Sequence, residues 1–250
     1  MEHPVAVLVV SFVALWLAAR IGATFAKSFR GTEKSVSDNN GTILAATLTL
    51  LGLIIGFTFS MAVNRYDQRK NLEEEEANAI GTEYLRAGLL PAAEAGKVRV
   101  LLRSYLDQRV LFYSTRDKAQ LQQIDVRTTQ LQNELWTVVQ AVAAAQPTPT
   151  VALAAAGMND VVNTQGYTQA AWWNRIPAGA WLLMVAIAVL SNLLVGVTSA
   201  NTTSPRMLLV LPVALSVSFF LIADIDSPRY GVIRVSAQNL ASLVESLRAP

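Results

Sequence analysis

The residues best placed to do chemistry lie in a charge-free run, 39–64. At about 100° per residue, Thr42, Ala46, Thr49, Leu53, Gly56, Phe57, Ser60 and Asn64 fall on one narrow face of a helix. A small and polar stripe on an otherwise greasy helix must meet protein or water. Thr49, Leu53 and Phe57 recur every fourth residue. They could stack as a hydrophobic constriction, the device by which some channels gate through dewetting. Helix packing is the competing reading, and Gly52-Leu53-Ile54-Ile55-Gly56 is a GxxxG match for it. Leu44, Leu48, Leu51, Ile55 and Ala62 occupy the opposite face, a composition suited to lipid.

Two charged motifs flank the apolar runs. Arg65-Tyr66-Asp67-Gln68-Arg69 follows the stripe directly. Arg65 or Arg69 could draw anions to a pore mouth, or the pair could anchor the helix end with Asp67 pairing locally. Asp224 and Asp226 stand in Asp224-Ile225-Asp226-Ser227-Pro228-Arg229-Tyr230-Gly231. Asp224 could hold a cation, but pairing with an arginine is the expectation at a membrane edge. The run Glu73–Glu76 could form a cation ring, and a solvated helix face is the expectation.

Other chemistry is excluded by composition. There is no Cys, so disulfides, thiolate metal sites and thiol catalysis are ruled out. The one histidine is His3, so neither a Ser-His-Asp triad nor a multi-histidine metal site can be built. No nucleophile–base motif or phosphate loop occurs, and no cofactor, no metal and no enzymatic activity are expected. A net charge of +2 leaves no nucleic-acid footprint.

The elements that must position these residues follow from the charge distribution. Charged residues are 15% of the 250, against about 25% in soluble domains. Of the 38 charged side chains, 22 crowd into residues 65–134. Four segments can supply the roughly 20 apolar residues of a span. They are Pro4–Phe25, Thr42–Val63, Ala178–Thr198 and Met207–Ala223. The first reads as a span rather than a cleaved signal, because Met1-Glu2-His3 is no basic n-region. Arg20 can snorkel near its end. Trp172, Trp173 and Trp181 are expected to form an interfacial belt at the third span. Pro212 is expected to bend the fourth.

Between spans two and three the chain reads as helices in water. Residues 64–90 continue the second span, and Leu89-Leu90-Pro91 marks a stop. Ala92–Tyr113 is amphipathic through Val98, Leu101, Leu102, Tyr105, Leu106 and Val110. Asp117 can cap a third helix with Leu121, Ile124, Thr128, Leu131, Leu135, Val138 and Val142 on one seam. That seam is expected to pack inside a bundle rather than between subunits. Gln146-Pro147-Thr148-Pro149 ends it, and a fourth helix over about 151–175 returns to the membrane. The expected fold is an all-α membrane protein with four transmembrane helices and a helical aqueous domain inserted between spans 2 and 3. Its parts are 1–64 (spans 1 and 2), 65–176 (aqueous domain), 177–225 (spans 3 and 4) and 226–250 (a C-terminal aqueous helix).

The order and spacing of several motifs add a resemblance. Ile55-Gly56-Phe57-Thr58-Phe59-Ser60-Met61-Ala62-Val63-Asn64-Arg65-Tyr66-Asp67-Gln68-Arg69, then Glu76-Ala77-Asn78-Ala79-Ile80-Gly81-Thr82 and Leu90-Pro91, resemble the bestrophin-like family of bacterial four-span membrane proteins. Asp224–Gly231 is similar to its second signature. A more distant likeness runs to bestrophins, the pentameric anion channels. Their pore-helix Gly-Phe pair with an Arg eight positions on matches Gly56, Phe57 and Arg65. Their three-residue neck would fall on Thr49, Leu53 and Phe57. Arg175-Ile176-Pro177 is similar to the element before their third span. The resemblance implies a homo-oligomer, pentameric by analogy, set in the lipid of the cell's inner membrane and passing anions through a pore lined by the second helix, with both termini inside. The positive-inside tally does not decide orientation by itself. Basic residues Arg20, Lys27, Arg30, Lys34 and Arg206 stand on one side, against Arg65, Arg69, Lys70, Arg175, Arg229 and Arg234 on the other.

Departures are equally specific. Tyr66-Asp67 replaces an aromatic pair, and Thr49 is neither apolar nor aromatic. Only Asp224 and Asp226 stand where animal bestrophins have a calcium-clasp cluster, so no calcium site is implied. The function that competes with a channel is a non-conducting membrane scaffold or signalling partner acting through the aqueous domain.

Overall fold

The structure is a computed structural model that describes residues 3–28, 36–199 and 207–248. Arg30, Lys34 and Arg206, which enter the topology tally, lie outside the described residues, as does the side chain of Lys27. Eight α-helices are described: α1 (Pro4–Ser28), α2 (Val36–Arg86), α3 (Ala92–Ser114), α4 (Lys118–Ala145), α5 (Pro149–Trp173), α6 (Ala178–Ser199), α7 (Val210–Asp226) and α8 (Gln238–Arg248). No strand occurs among the described residues. Four segments are long and apolar enough to cross a membrane. They are Pro4–Ala26, a stretch within Gly41–Leu89, one within Pro149–Ser199, and Met207–Asp226. The expected all-α membrane fold is thus what the chain adopts. The chain divides into two compact units, Met1–Asn64 with Arg175–Arg234, and Arg65–Asn174 with Val235–Pro250.

The first unit holds the apolar helices. There α1 packs on α6 and α7, and small residues set the distance. A Cβ on Gly22 would lie 2.1 Å from the Leu193 carbonyl oxygen, and one on Gly196 would lie 2.1 Å from that of Ala19. Without side chains the two backbones can touch, which is how helices associate where lipid removes the hydrophobic drive. Leu15, Ala18, Ala19, Met184 and Ala188 fill the seam. Trp181 is buried edge-on to Phe219 with ring centroids 6.3 Å apart, so it belongs to this packing and not to an interfacial belt. Pro212 also departs from expectation. A short 3-10 turn over Met207–Leu209 precedes α7, and Pro212 falls in the first turn of α7, where a helix needs no N–H from it.

The second unit is a helical bundle. α2 has 51 residues and would be about 76 Å long at 1.5 Å per residue, far beyond a bilayer core of about 30 Å. Its charged end therefore lies in water. A 3-10 turn at Ala87–Leu89 and Pro91 break the chain before α3, as the sequence predicts. Asp117 caps α4 by accepting the Gln120 amide at 2.8 Å, and Thr148 caps α5 with Pro149 at its first position. The α4 seam Ile124, Thr128, Leu131, Leu135, Val138 and Val142 is buried within this bundle, as expected. Trp172 is a correction. It lies in the bundle core, edge-on to Phe112 and Tyr113 at 5.0 and 5.3 Å, while Trp173 is exposed. After α7, residues 227–237 turn without helix and α8 follows.

Candidate functional site

The stripe lies on the exposed side of α2, which also carries Ile43, Leu50, Phe59 and Met61. Thr42, Ala46, Thr49, Leu53, Gly56, Phe57, Ser60 and Asn64 are all exposed in the single chain. Leu53 and Phe57 are 54% and 65% exposed. Gly52 and Gly56 have no heavy atom within 4 Å of an added Cβ. The GxxxG match therefore packs against no other helix among the described residues of this chain. That close-packing role belongs instead to Gly22 and Gly196. The opposite face corrects the lipid assignment. Leu51, Thr58 and Ala62 are buried, and Leu44, Leu48 and Ile55 are partly covered. A leucine row suits protein as well as lipid, so composition alone cannot choose between them.

Thr49 is the polar member of the four-residue ladder. Its hydroxyl donates to the Ala45 carbonyl at 2.9 Å, so the donor is spent within the helix. Thr58 does the same to Ile54 on the buried face.

The motif after the stripe splits by face. Arg65 is partly buried and donates to the side-chain oxygen of Asn174. Tyr66 is half-buried against the bundle core and Asp67 is exposed. Arg69 is buried, contrary to a role in drawing anions from solution. It donates to the carbonyls of Ala171 at 3.1 Å and Asn174 at 3.0 Å, closing the C-terminal end of α5. A guanidinium there satisfies carbonyls that the helix leaves open and meets the negative end of its dipole.

The glutamate run is also corrected. Glu74 and Glu75 are solvated, but Glu73 and Glu76 are buried. Glu73 accepts from the Leu240 amide at 2.9 Å and from Asn239 at 2.6 Å, capping the start of α8. Glu76 accepts from Arg109, Tyr113 and Thr168. Burial, then the Glu76 charge, pushes the Tyr113 hydroxyl up, so it stays a donor. One signal for this was available. Arg69, Glu73, Glu76, Ile80 and Glu83 recur at three and four residues, the spacing of an inward face. Arg109 and Gly157 carried no such signal in isolation.

The C-terminal motif forms a tight knot with the chain before α6. Asp224 is buried, and its two carboxylate oxygens accept the amides of Val232 at 2.7 Å and Ile233 at 2.8 Å. Backbone amides take up its charge, where an arginine was expected. The Asp226 carboxylate accepts the Ile176 amide at 3.2 Å, and the Asp226 carbonyl accepts from Arg175. The elements Arg175-Ile176-Pro177 and Asp224–Gly231 are thereby brought together. Pro228 is buried and Arg229 is partly so. A Cβ on Gly231 would lie 2.3 Å from the Asp224 carbonyl oxygen, so only glycine fits the turn. No group of three or more metal-ligating side chains occurs among the described residues.

Comparisons with known proteins agree with this architecture. A family model described as "Bestrophin-like domain" matches residues 5–240. A crystal structure of a bacterial bestrophin homologue from Klebsiella pneumoniae aligns at TM-score 0.67 and 13% identity, covering 98% of this chain and 99% of that one. A point variant of a bacterial bestrophin homologue from the same organism aligns at 0.65 and 13%, covering 98% and 97%. A variant described as a membrane protein aligns at 0.69 and 12%, covering 98% and 97%. At such identities the likeness is one of fold. No curated protein matches the chain.

Proposed function

The chain belongs to the Bestrophin-like family, and on that premise we propose that it is a homo-oligomeric anion channel, a pentamer whose α2 helices line the axis. Thr49, Leu53 and Phe57 form its neck, and Thr42, Ala46, Gly56, Ser60 and Asn64 continue the lining. The observation that carries this reading is the exposure of the entire stripe in the single chain, with Leu51, Thr58 and Ala62 turned inward behind it.

Lipid is a poor partner for that face. Ser60 and Asn64 would lose hydration there without compensation. A water-filled axis asks for no such loss, and it tolerates a narrow apolar ring that sheds water reversibly. Thr49 suits the ring because its hydroxyl is bonded back to Ala45 and its methyl remains. Arg65, partly exposed beyond the stripe, supplies positive potential at the exit. Exposed apolar residues on α1 and α6, among them Val9, Val13, Leu182 and Leu190, are the lipid-facing surface. An inner-membrane location with both termini inside is part of this proposal, and the family resemblance supports it.

Purified protein in planar bilayers is expected to pass chloride in preference to potassium and to run as an oligomer in detergent. A folded monomer without conductance overturns the proposal.

A further inference from the structure

Glu83 stands apart from the other acids on the inward face of α2. Its side chain is fully buried, yet neither carboxylate oxygen has a hydrogen-bond donor. Glu73 and Glu76 each have several. Glu83 lies against Gly157 of α5. A Cβ on Gly157 would come 2.0 Å from Glu83 Oε2 and 2.6 Å from Arg86 Nη1, so the absent side chain is what lets α5 close over the carboxyl. Such a site accepts a neutral carboxyl far more readily than a charged one. An ionised carboxylate buried without donors loses its hydration and gains nothing in return.

We infer that Glu83 and Gly157 form a proton-operated latch between α2 and α5, closed when the carboxyl is neutral and loosened when its proton leaves to solvent. The charged groups around it fix how it is tuned. Arg86 on α2 and Asp160 on α5 face each other at 3.9 Å and both reach solvent. From α3, Arg99 and Arg103 engage Tyr84, which adjoins Glu83 on a different face of α2. Tyr105 of α3 bonds the Val161 carbonyl on α5, and burial keeps its hydroxyl un-ionised. Burial is the main influence on Glu83, pushing its carboxyl up to about 8. Arg86 opposes the rise and Asp160 adds to it.

The sign follows from linkage. The closed form keeps its proton to about pH 8, whereas an opened, hydrated Glu83 returns to about 4.5. Between those values opening becomes easier by up to about tenfold per pH unit, and it levels off above the closed-state value. The latch is tight in acid and loosest in alkali. It is a property of the 65–174 bundle and does not depend on the pore reading.

Hydrogen exchange of the full-length protein in nanodiscs tests this, read on peptides spanning 154–161 and corrected for the base-catalysed intrinsic rate. Wild-type protection is expected to fall by up to about tenfold per pH unit until about pH 8, and Glu83→Gln is expected to flatten that dependence. Asp160→Asn should move the levelling-off to lower pH and Arg86→Gln to higher pH. Both side chains reach solvent, so these variants keep the test in force should Glu83→Gln fail to fold. Parallel profiles in wild type and Glu83→Gln, or no opposed shifts in these two variants, overturn the inference.

Discussion

Glu76 on α2 and Arg109 on α3 meet in an ion pair with no exposed side-chain surface on either partner. Tyr113 and Thr168 donate to the same carboxylate at 3.4 and 3.3 Å, and the guanidinium lies 4.4 Å from the centre of the Phe112 ring. Water is excluded, so each charge depends on the other. Arg109→Met should cost about 3–5 kcal/mol because it strands a buried carboxylate. Glu76→Leu combined with Arg109→Met should recover most of that loss. Urea titrations of the detergent-solubilised protein, followed by helical content, measure both.

Arg69 and Arg65 should separate in their effects. Arg69→Ala removes bonds to the Ala171 and Asn174 carbonyls, each worth about 1.5–3 kcal/mol as a charged hydrogen bond. Its phenotype should be lost stability with unchanged ion preference in the channels that remain. Arg65→Gln gives up one charged bond, to Asn174, so it should cost less stability than Arg69→Ala, and it should lower the anion-to-cation permeability ratio. Reversal potentials and thermal midpoints, taken on the same preparations, distinguish the two.

Two pairs of glycines make a third contrast. Gly196→Ala places a methyl 2.1 Å from the Ala19 carbonyl oxygen and 2.8 Å from the Ala23 nitrogen, so α1 and α6 must separate. Overpacking of this kind costs about 1–3 kcal/mol. Gly52→Ala meets nothing within 4 Å and should be neutral or slightly stabilising to the chain, since alanine favours the helix. Thermal unfolding in one detergent compares them.

What could be read from the sequence was whatever repeats locally. The α4 seam, the Asp117 cap, the stop at Leu89–Pro91 and the stripe itself all follow from periodicity or from one-turn rules, and the structure contains them. What escaped were relations between distant positions. Glu76 and Arg109 are 33 residues apart, and a glutamate run with unseen partners reads as solvated. Trp172 beside a span reads as interfacial until Phe112 and Tyr113 are found around it. Gly157 has meaning only once Glu83 is known to lie on it. The faces of α2 were separable from periodicity, but which face turns inward was not, because leucine satisfies both lipid and protein. Pro212 was misjudged because the start of α7 was placed at Met207, before the 3-10 turn.

The absence of native cysteine permits a direct test of the neck. Single thiols introduced as Thr49→Cys, Leu53→Cys and Phe57→Cys can be exposed to a charged, water-soluble thiol reagent during planar-bilayer recording, with Leu51→Cys and Ala62→Cys as inward-facing controls. Modification at 49, 53 and 57 should change the current, and modification at 51 and 62 should not. Unaltered current through thiols at 53 and 57, in channels that conduct normally, contradicts an axis lined by this face of α2.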